Sequence, residues 1–153
     1  MSGKVKPVPE GYHSVTPYLV VKNAAAALDF YQQVFGAVEA LRMQDGERIG
    51  HAEITIGDSR VMLADEHPEM KIFAPQSGTA AAVGILLYVE DVDTVVERAV
   101  AAGARLDRPV ADQFYGDRTG GITDPFGHRW YIATHVEDVP PEELQKRMRE
   151  TRT

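Results

Sequence analysis

The stretch TPYLVVKNAAAALDFYQQVFGA, Thr16 to Ala37, holds the first half of the fold in miniature. Its opening is a β-branched apolar run, and the spacing predicts a strand over Val15 to Val21. Asn23 is a helix-capping residue type. From Ala24 to Phe35 the apolar residues Ala24, Ala27, Leu28, Tyr31, Val34 and Phe35 recur three or four apart, the signature of a helix with one buried face. Gly36 ends it. The same order recurs at VGILLYVEDVDTVVERAVAAGA, Val83 to Ala104. There a strand over Val83 to Val89 precedes Asp91 as cap, a helix to about Ala102 with Val92, Val95, Val96, Ala99 and Val100 inward, and a stop at Gly103.

Working outward, three strands follow each helix. In the first copy they are expected at Val38–Met43, Ile49–Ile56 and Arg60–Ala64, with turns at Asp45-Gly46 and Gly57-Asp58. In the second they are expected at Ala104–Val110, Gly116–Thr123 and Arg129–Thr134. One constant offset carries Thr16 onto Gly84 and Leu63 onto Tyr131; Gly36 and Gly103 fall one residue short of it, so small gaps separate the copies. The expected fold class is therefore α+β, two tandem βαβββ modules, since a four-stranded sheet with one helix leaves a face to be covered. The expected boundaries are a loose leader over residues 1–12, a domain over 13–137 (modules about 13–70 and 80–137), and a charged C-terminal helix within 138–153. That helix is read from Glu142 to Arg152, with Leu144 and Met148 as its apolar edge.

Composition narrows the function. The 153 residues carry a net charge of −7, with 44% hydrophobic and 25% charged residues, the balance of an ordinary globular protein. Acidity disfavours nucleic acid as a partner and would tolerate or weakly attract a cationic small molecule. No apolar run is long enough for a membrane span. The absence of cysteine excludes disulfides, thiolate metal sites and a cysteine nucleophile, and fits a cytoplasmic protein. No phosphate loop, dinucleotide fingerprint, nucleophile elbow or zinc-protease motif occurs.

Three stretches resemble a known superfamily. Thr16 to Val21 with Ala27-Leu28-Asp29-Phe30-Tyr31 and Val34-Phe35-Gly36-Ala37 is similar to the opening of a vicinal-oxygen-chelate module, the unit of the glyoxalase/bleomycin-resistance/extradiol dioxygenase superfamily. Tyr88 to Asp93 with Ala102-Gly103-Ala104 is similar to the start of its second module. Asp124-Pro125-Phe126-Gly127-His128-Arg129-Trp130, within Asp112 to His135, resembles the PhnB-like branch. The resemblance implies a cupped mixed sheet from each module, the cups facing one another around a pocket. It also implies four metal-ligand positions, which fall at Thr16, Leu63, Gly84 and Tyr131. None is a histidine or carboxylate, and neutral hydroxyls are poor ligands, so neither metal nor other cofactor is expected there.

Several residues are candidates for a site. His51 and Glu53 alternate on one strand and so share a face. They are read as an acid/base pair, as two ligands of a relocated metal site with His67 or His135, or as a solvated strand face. If Leu63 faces the pocket, Asp65 does too. Phe114, Tyr115, Asp117 and Arg118 suit either a pocket mouth or a plain hairpin. With Thr16, Tyr18, Tyr88 and Tyr131 they complete the expected ligand-binding set; His51, Glu53, Asp65 and Tyr131 are the catalytic candidates. Trp130, opposite Tyr131 on its strand, is expected in the core. The leading expectation is a homodimer that binds and sequesters a small organic or cationic molecule. The alternative is a lyase, isomerase or dioxygenase acting on a small oxygenated substrate, with no metal or an unorthodox metal site; a third reading is an interaction module with a vestigial pocket.

Overall fold

A computed structural model describes residues 3–151. The chain divides into two compact units, Met1–Thr79 and Ala80–Thr153. The first runs β1 (Tyr18–Val21), α1 (Ala24–Phe35), β2 (Val38–Asp45), β3 (Arg48–Ile56) and β4 (Ser59–Asp65), then a short 3-10 turn at Pro68–Met70. The second runs β5 (Gly84–Tyr88), α2 (Val92–Ala101), β6 (Arg105–Asp112), β7 (Asp117–Thr123), β8 (Arg129–His135) and α3 (Pro141–Thr151). Each unit holds one four-stranded mixed sheet. The strand order is β1-β4-β3-β2 in the first and β5-β8-β7-β6 in the second, and only the β1–β4 and β5–β8 pairs are parallel. The architecture is α+β, βαβββ twice.

The helices start and stop where the sequence says. The Asn23 side chain accepts the Ala26 N–H and Gly36 closes α1 in the left-handed region; Asp91 accepts the Thr94 N–H at the start of α2. Both hairpins of the first unit turn on two residues, Gly46-Glu47 and Gly57-Asp58. Positive φ at the leading glycine of each makes them the primed turns that match strand twist. Differences from the sequence reading lie at strand ends. β1 starts at Tyr18 rather than Val15, because Pro17 uses its carbonyl for the Met62 N–H and has no N–H of its own. β6 runs two residues past Val110 despite Pro109, because it is an edge strand broken by two register shifts.

The leader is anchored at its end. The Tyr12 hydroxyl donates to Glu53, and the Arg60 guanidinium lies 5.1 Å from the centre of the Tyr12 ring. The first two residues of the expected leader and Arg152, where α3 was expected to end, lie outside the described residues. α3 is held to its own unit by Arg147, which donates to the Phe114 carbonyl and to both oxygens of Glu137.

In each unit one face of the sheet packs on the helix. Asp65 accepts the Ala24 N–H at the start of α1, so Asp65 and its period-two neighbours Leu63 and Val61 face α1, with Leu19, Ala52 and Ile54 in register beside them. In the second unit Thr134 accepts the Val92 N–H of α2, and a Cβ placed on Gly120 would come within 3.1 Å of Val96. Trp130, Ile132 and Ile122 share that face and are buried. No helix among the described residues is long and apolar enough to cross a membrane.

Candidate functional site

The face away from the helix carries the polar chemistry in both units. In the first, register puts Tyr18 and Val20 of β1, Met62 and Ala64 of β4, and His51 and Glu53 of β3 on that open face, with Leu41 and Met43 of β2 beside them. Leu63 does not belong to it. The fourth-strand position implied by the resemblance is displaced by one residue, and one residue turns a side chain to the opposite face. Asp65, expected to follow Leu63 toward the pocket, follows it toward α1 instead, where its two oxygens accept the Ala24 and Ile49 N–H groups at 2.8 Å each. Thr16 precedes β1 and is half-buried.

His51 and Glu53 are joined into a chain. His51 Nε2 lies 2.7 Å from Glu53, and the Tyr18 hydroxyl lies 2.8 Å from His51 Nδ1. Hydrogen bonds from Tyr12 and then from His51 hold the Glu53 carboxyl below its ordinary range despite burial. With Glu53 ionised, Nε2 carries the imidazole proton and Nδ1 accepts from Tyr18. Burial, and then the Glu53 charge, push the Tyr18 phenol up.

The second unit arranges different residues on its open face. Tyr88 donates to Asp117 at 2.8 Å, His135 Nδ1 is 2.7 Å from the other Asp117 oxygen, and His135 Nε2 is 2.7 Å from Asp138. Asp117 is 5% exposed, with both oxygens engaged. Its hydrogen bond to His135, then that of Asp138, raises the imidazole above its ordinary value. A shallow hollow of about 460 Å³ is lined by Tyr88, Val89, Glu90, Thr134 and His135. The segment Phe114 to Arg118 is split: Asp117 faces this side, whereas Arg118 reaches over the other to Asp93 of α2 and to Asp112. Phe114 and Tyr115 meet edge to face at 5.3 Å in the turn before β7.

Gly84 and Tyr131 lie on the open face together. A Cβ on Gly84 would come to 2.4 Å from the Tyr131 ring, so the phenol lies across the glycine and occupies the space a longer side chain would need. Leu86 and Tyr88, in line with Gly84, are 50% and 57% exposed. Two residues of this face escaped the sequence reading. Arg129 is two residues from Tyr131, so alternation alone would have placed it there; Arg108 is brought over Gly121 by the irregular register of β6, which no spacing announces.

A divalent cation does not fit the inherited positions. Thr16 and Tyr131 offer neutral hydroxyls, Gly84 offers nothing, and Leu63 points to the core. Among the described residues no group of three or more His, Asp or Glu side chains converges as a metal site.

A family profile described as the Glyoxalase/Bleomycin resistance protein/Dioxygenase superfamily matches residues 11–132. The uncharacterised protein Rv0887c of Mycobacterium tuberculosis (strain ATCC 25618 / H37Rv) is 42% identical over 140 residues, covering 88% of this chain and 82% of that protein. Among solved structures, TioX from Micromonospora sp. ML1 superposes with a TM-score of 0.64 at 27% identity, over 81% of this chain and 99% of TioX. The PhnB protein from Bacillus cereus shares the fold, with a TM-score of 0.64 at 18% identity over 80% of this chain and 99% of that one.

Proposed function

Because the chain belongs to the glyoxalase/bleomycin resistance protein/dioxygenase superfamily but holds no metal-ligating set at the inherited positions, we propose that it is a small-molecule-binding protein. The observation that carries this reading is the pairing of Gly84 with Tyr131. Where the resemblance implies two side chains reaching for a metal, there is instead an aromatic plate beside the exposed Leu86 and Tyr88. A plate of this kind binds by apolar contact and stacking. Its ring face does not supply the Lewis acidity with which a metal polarises a substrate oxygen in such chemistry. The test is a thermal-shift and titration series with small aromatic compounds on wild type and Tyr131→Ala. Saturable stabilisation that Tyr131→Ala abolishes, with the fold retained by circular dichroism, is the expected result. No stabilisation by any compound, or stabilisation indifferent to Tyr131, overturns it.

A second reading has its own support in the Tyr18–His51–Glu53 chain. An ionised carboxylate behind an imidazole, with a phenol at the far end, is an acid/base arrangement in search of a substrate. Incubation with dihydroxyacetone in deuterium oxide discriminates: deuterium entering the carbon next to the carbonyl, and lost in His51→Gln, favours an enzyme.

A further inference from the structure

We propose that the ligand of the second unit's open face is a small aromatic carboxylate, its charge held by Arg129 and Arg108 and its ring laid against Tyr131. The proposal rests on the small-molecule reading above and adds the ligand's charge. It starts from a deficit: Arg129 Nε is buried and has no hydrogen-bond partner. Buried polar groups are almost always paired, and an N–H stripped of water with no acceptor is destabilising. A ligand oxygen at that position removes the deficit.

The surroundings point the same way. Arg129 is in register with Gly84 on one side and Thr123 on the other. Tyr131, the next residue on that face, is in register with Gly121. A Cβ on Gly121 would meet the Arg108 stem at 3.4 Å, so Arg108 crosses this glycine beside the phenol. Gly84 and Gly121 thus let the phenol ring and the Arg108 stem lie close against the open face of the sheet. The nearby carboxylate does not cancel the charge. Asp107 accepts Arg105 Nε at 2.7 Å and the Thr123 hydroxyl at 2.5 Å. Burial pushes Asp107 up, but those two hydrogen bonds and the charges of Arg105 and Arg129 more than offset it. Arg105 is therefore matched by Asp107, while neither Arg108 nor Arg129 has an ion-pair partner among the described residues. The carboxylates that the sequence offered to a cation are occupied, Asp65 by two backbone N–H groups and Asp117 by Tyr88 and His135. A planar fork facing a carboxylate is the strongest pairing such a surface can make.

The test titrates the full chain, at fixed ionic strength, with sodium benzoate, benzamide and benzylamine hydrochloride. It follows the arginine Nε–H cross-peaks by nitrogen-15 NMR, with the Arg129 signal identified by its loss in Arg129→Lys. Benzoate is expected to move that signal saturably and to bind about tenfold more tightly than benzamide, a gap of the size that charge-assisted hydrogen bonds give. Arg129→Lys and Arg108→Gln are each expected to weaken benzoate by a larger factor than benzamide. Equal binding of benzoate and benzamide, or preference for benzylamine, overturns the carboxylate while leaving a small-molecule site in place. If none of the three moves any resonance of the Tyr131 face, the carboxylate and the small-molecule reading both fall.

Discussion

His135 sits between Asp117 and Asp138, both 2.7 Å from its ring, and that makes its charge a lever on the chain end. Its pKa is raised in the folded state, so the protonated form is favoured by folding. The stabilisation is fully present below the ordinary imidazole value and is lost as pH rises through the raised one. The stability difference between wild type and His135→Gln, measured by urea unfolding, is accordingly expected to be largest in mildly acidic buffer and to shrink toward alkaline pH. A difference that grows with pH contradicts the clamp. Asp65 is a second single-residue test. Asp65→Ala strips the acceptor from the Ala24 and Ile49 N–H groups, and both residues are buried. A loss of about 2 kcal/mol is expected in the same assay, the scale of a buried donor left unpaired. A loss within error would mean water replaces the carboxylate.

Elements were legible where local chemistry fixes them and ambiguous where only register does. Asn23, Gly36 and Asp91 announce caps, and the bounds of α1 are those read from its spacing. The face of β4 was not readable in the same way. Leu63 and Tyr131 are related by the offset that aligns the first strands, yet they lie on opposite faces. The clue was the one-residue shortfall between Gly36 and Gly103: that smaller offset sets Ala64, not Leu63, against Tyr131, and Ala64 is on the open face. A strand of alternating apolar residues does not say which set faces the helix; Asp65, fastened to α1, does. The link from β8 to α3 offers a sharper element-scale test. Gly116 has φ 96° and its carbonyl accepts the Val136 and Glu137 N–H groups. A Cβ there would lie 2.1 Å from the Glu137 carbonyl oxygen. Gly116→Ala is expected to lower the melting temperature and to release α3, read as faster hydrogen exchange over residues 136–151 than in wild type. Unchanged exchange would show that Arg147 alone retains the helix.

At the scale of the molecule, the repeat made the architecture readable, because two copies of one element order constrain each other. The candidate site was less so. Side chains such as Arg108 and Asp117 gain their neighbours only when four strands are in register, and no single stretch contains that information. The lack of a histidine or carboxylate at Thr16, Leu63, Gly84 and Tyr131 leads to a prediction for the whole protein. Protein purified without chelator is expected to carry substoichiometric zinc, nickel, iron or manganese, and EDTA to leave its melting temperature unchanged. One tightly held equivalent of metal overturns it. We also propose pairing of two copies through the apolar edge of α3, where Met148 is 39% exposed. Light scattering is expected to give a dimer, and deletion from Asp138 onward to weaken it; a monomer in both overturns it.

Trp130, the only tryptophan, is 1% exposed and donates its indole N–H to Asp124 at 2.9 Å. Asp124 in turn accepts the Phe126 and His128 N–H groups of the turn before β8. The protein thus carries a built-in optical probe of its second half. Its fluorescence should be blue-shifted in the native state and red-shift when the packing against α2 opens. Because the indole points away from Tyr131, a compound resting on the open face should leave the emission colour nearly unaltered. A large spectral change on adding a ligand would then signal loosening of the α2 side, and tyrosine emission recorded alongside would separate that from simple docking.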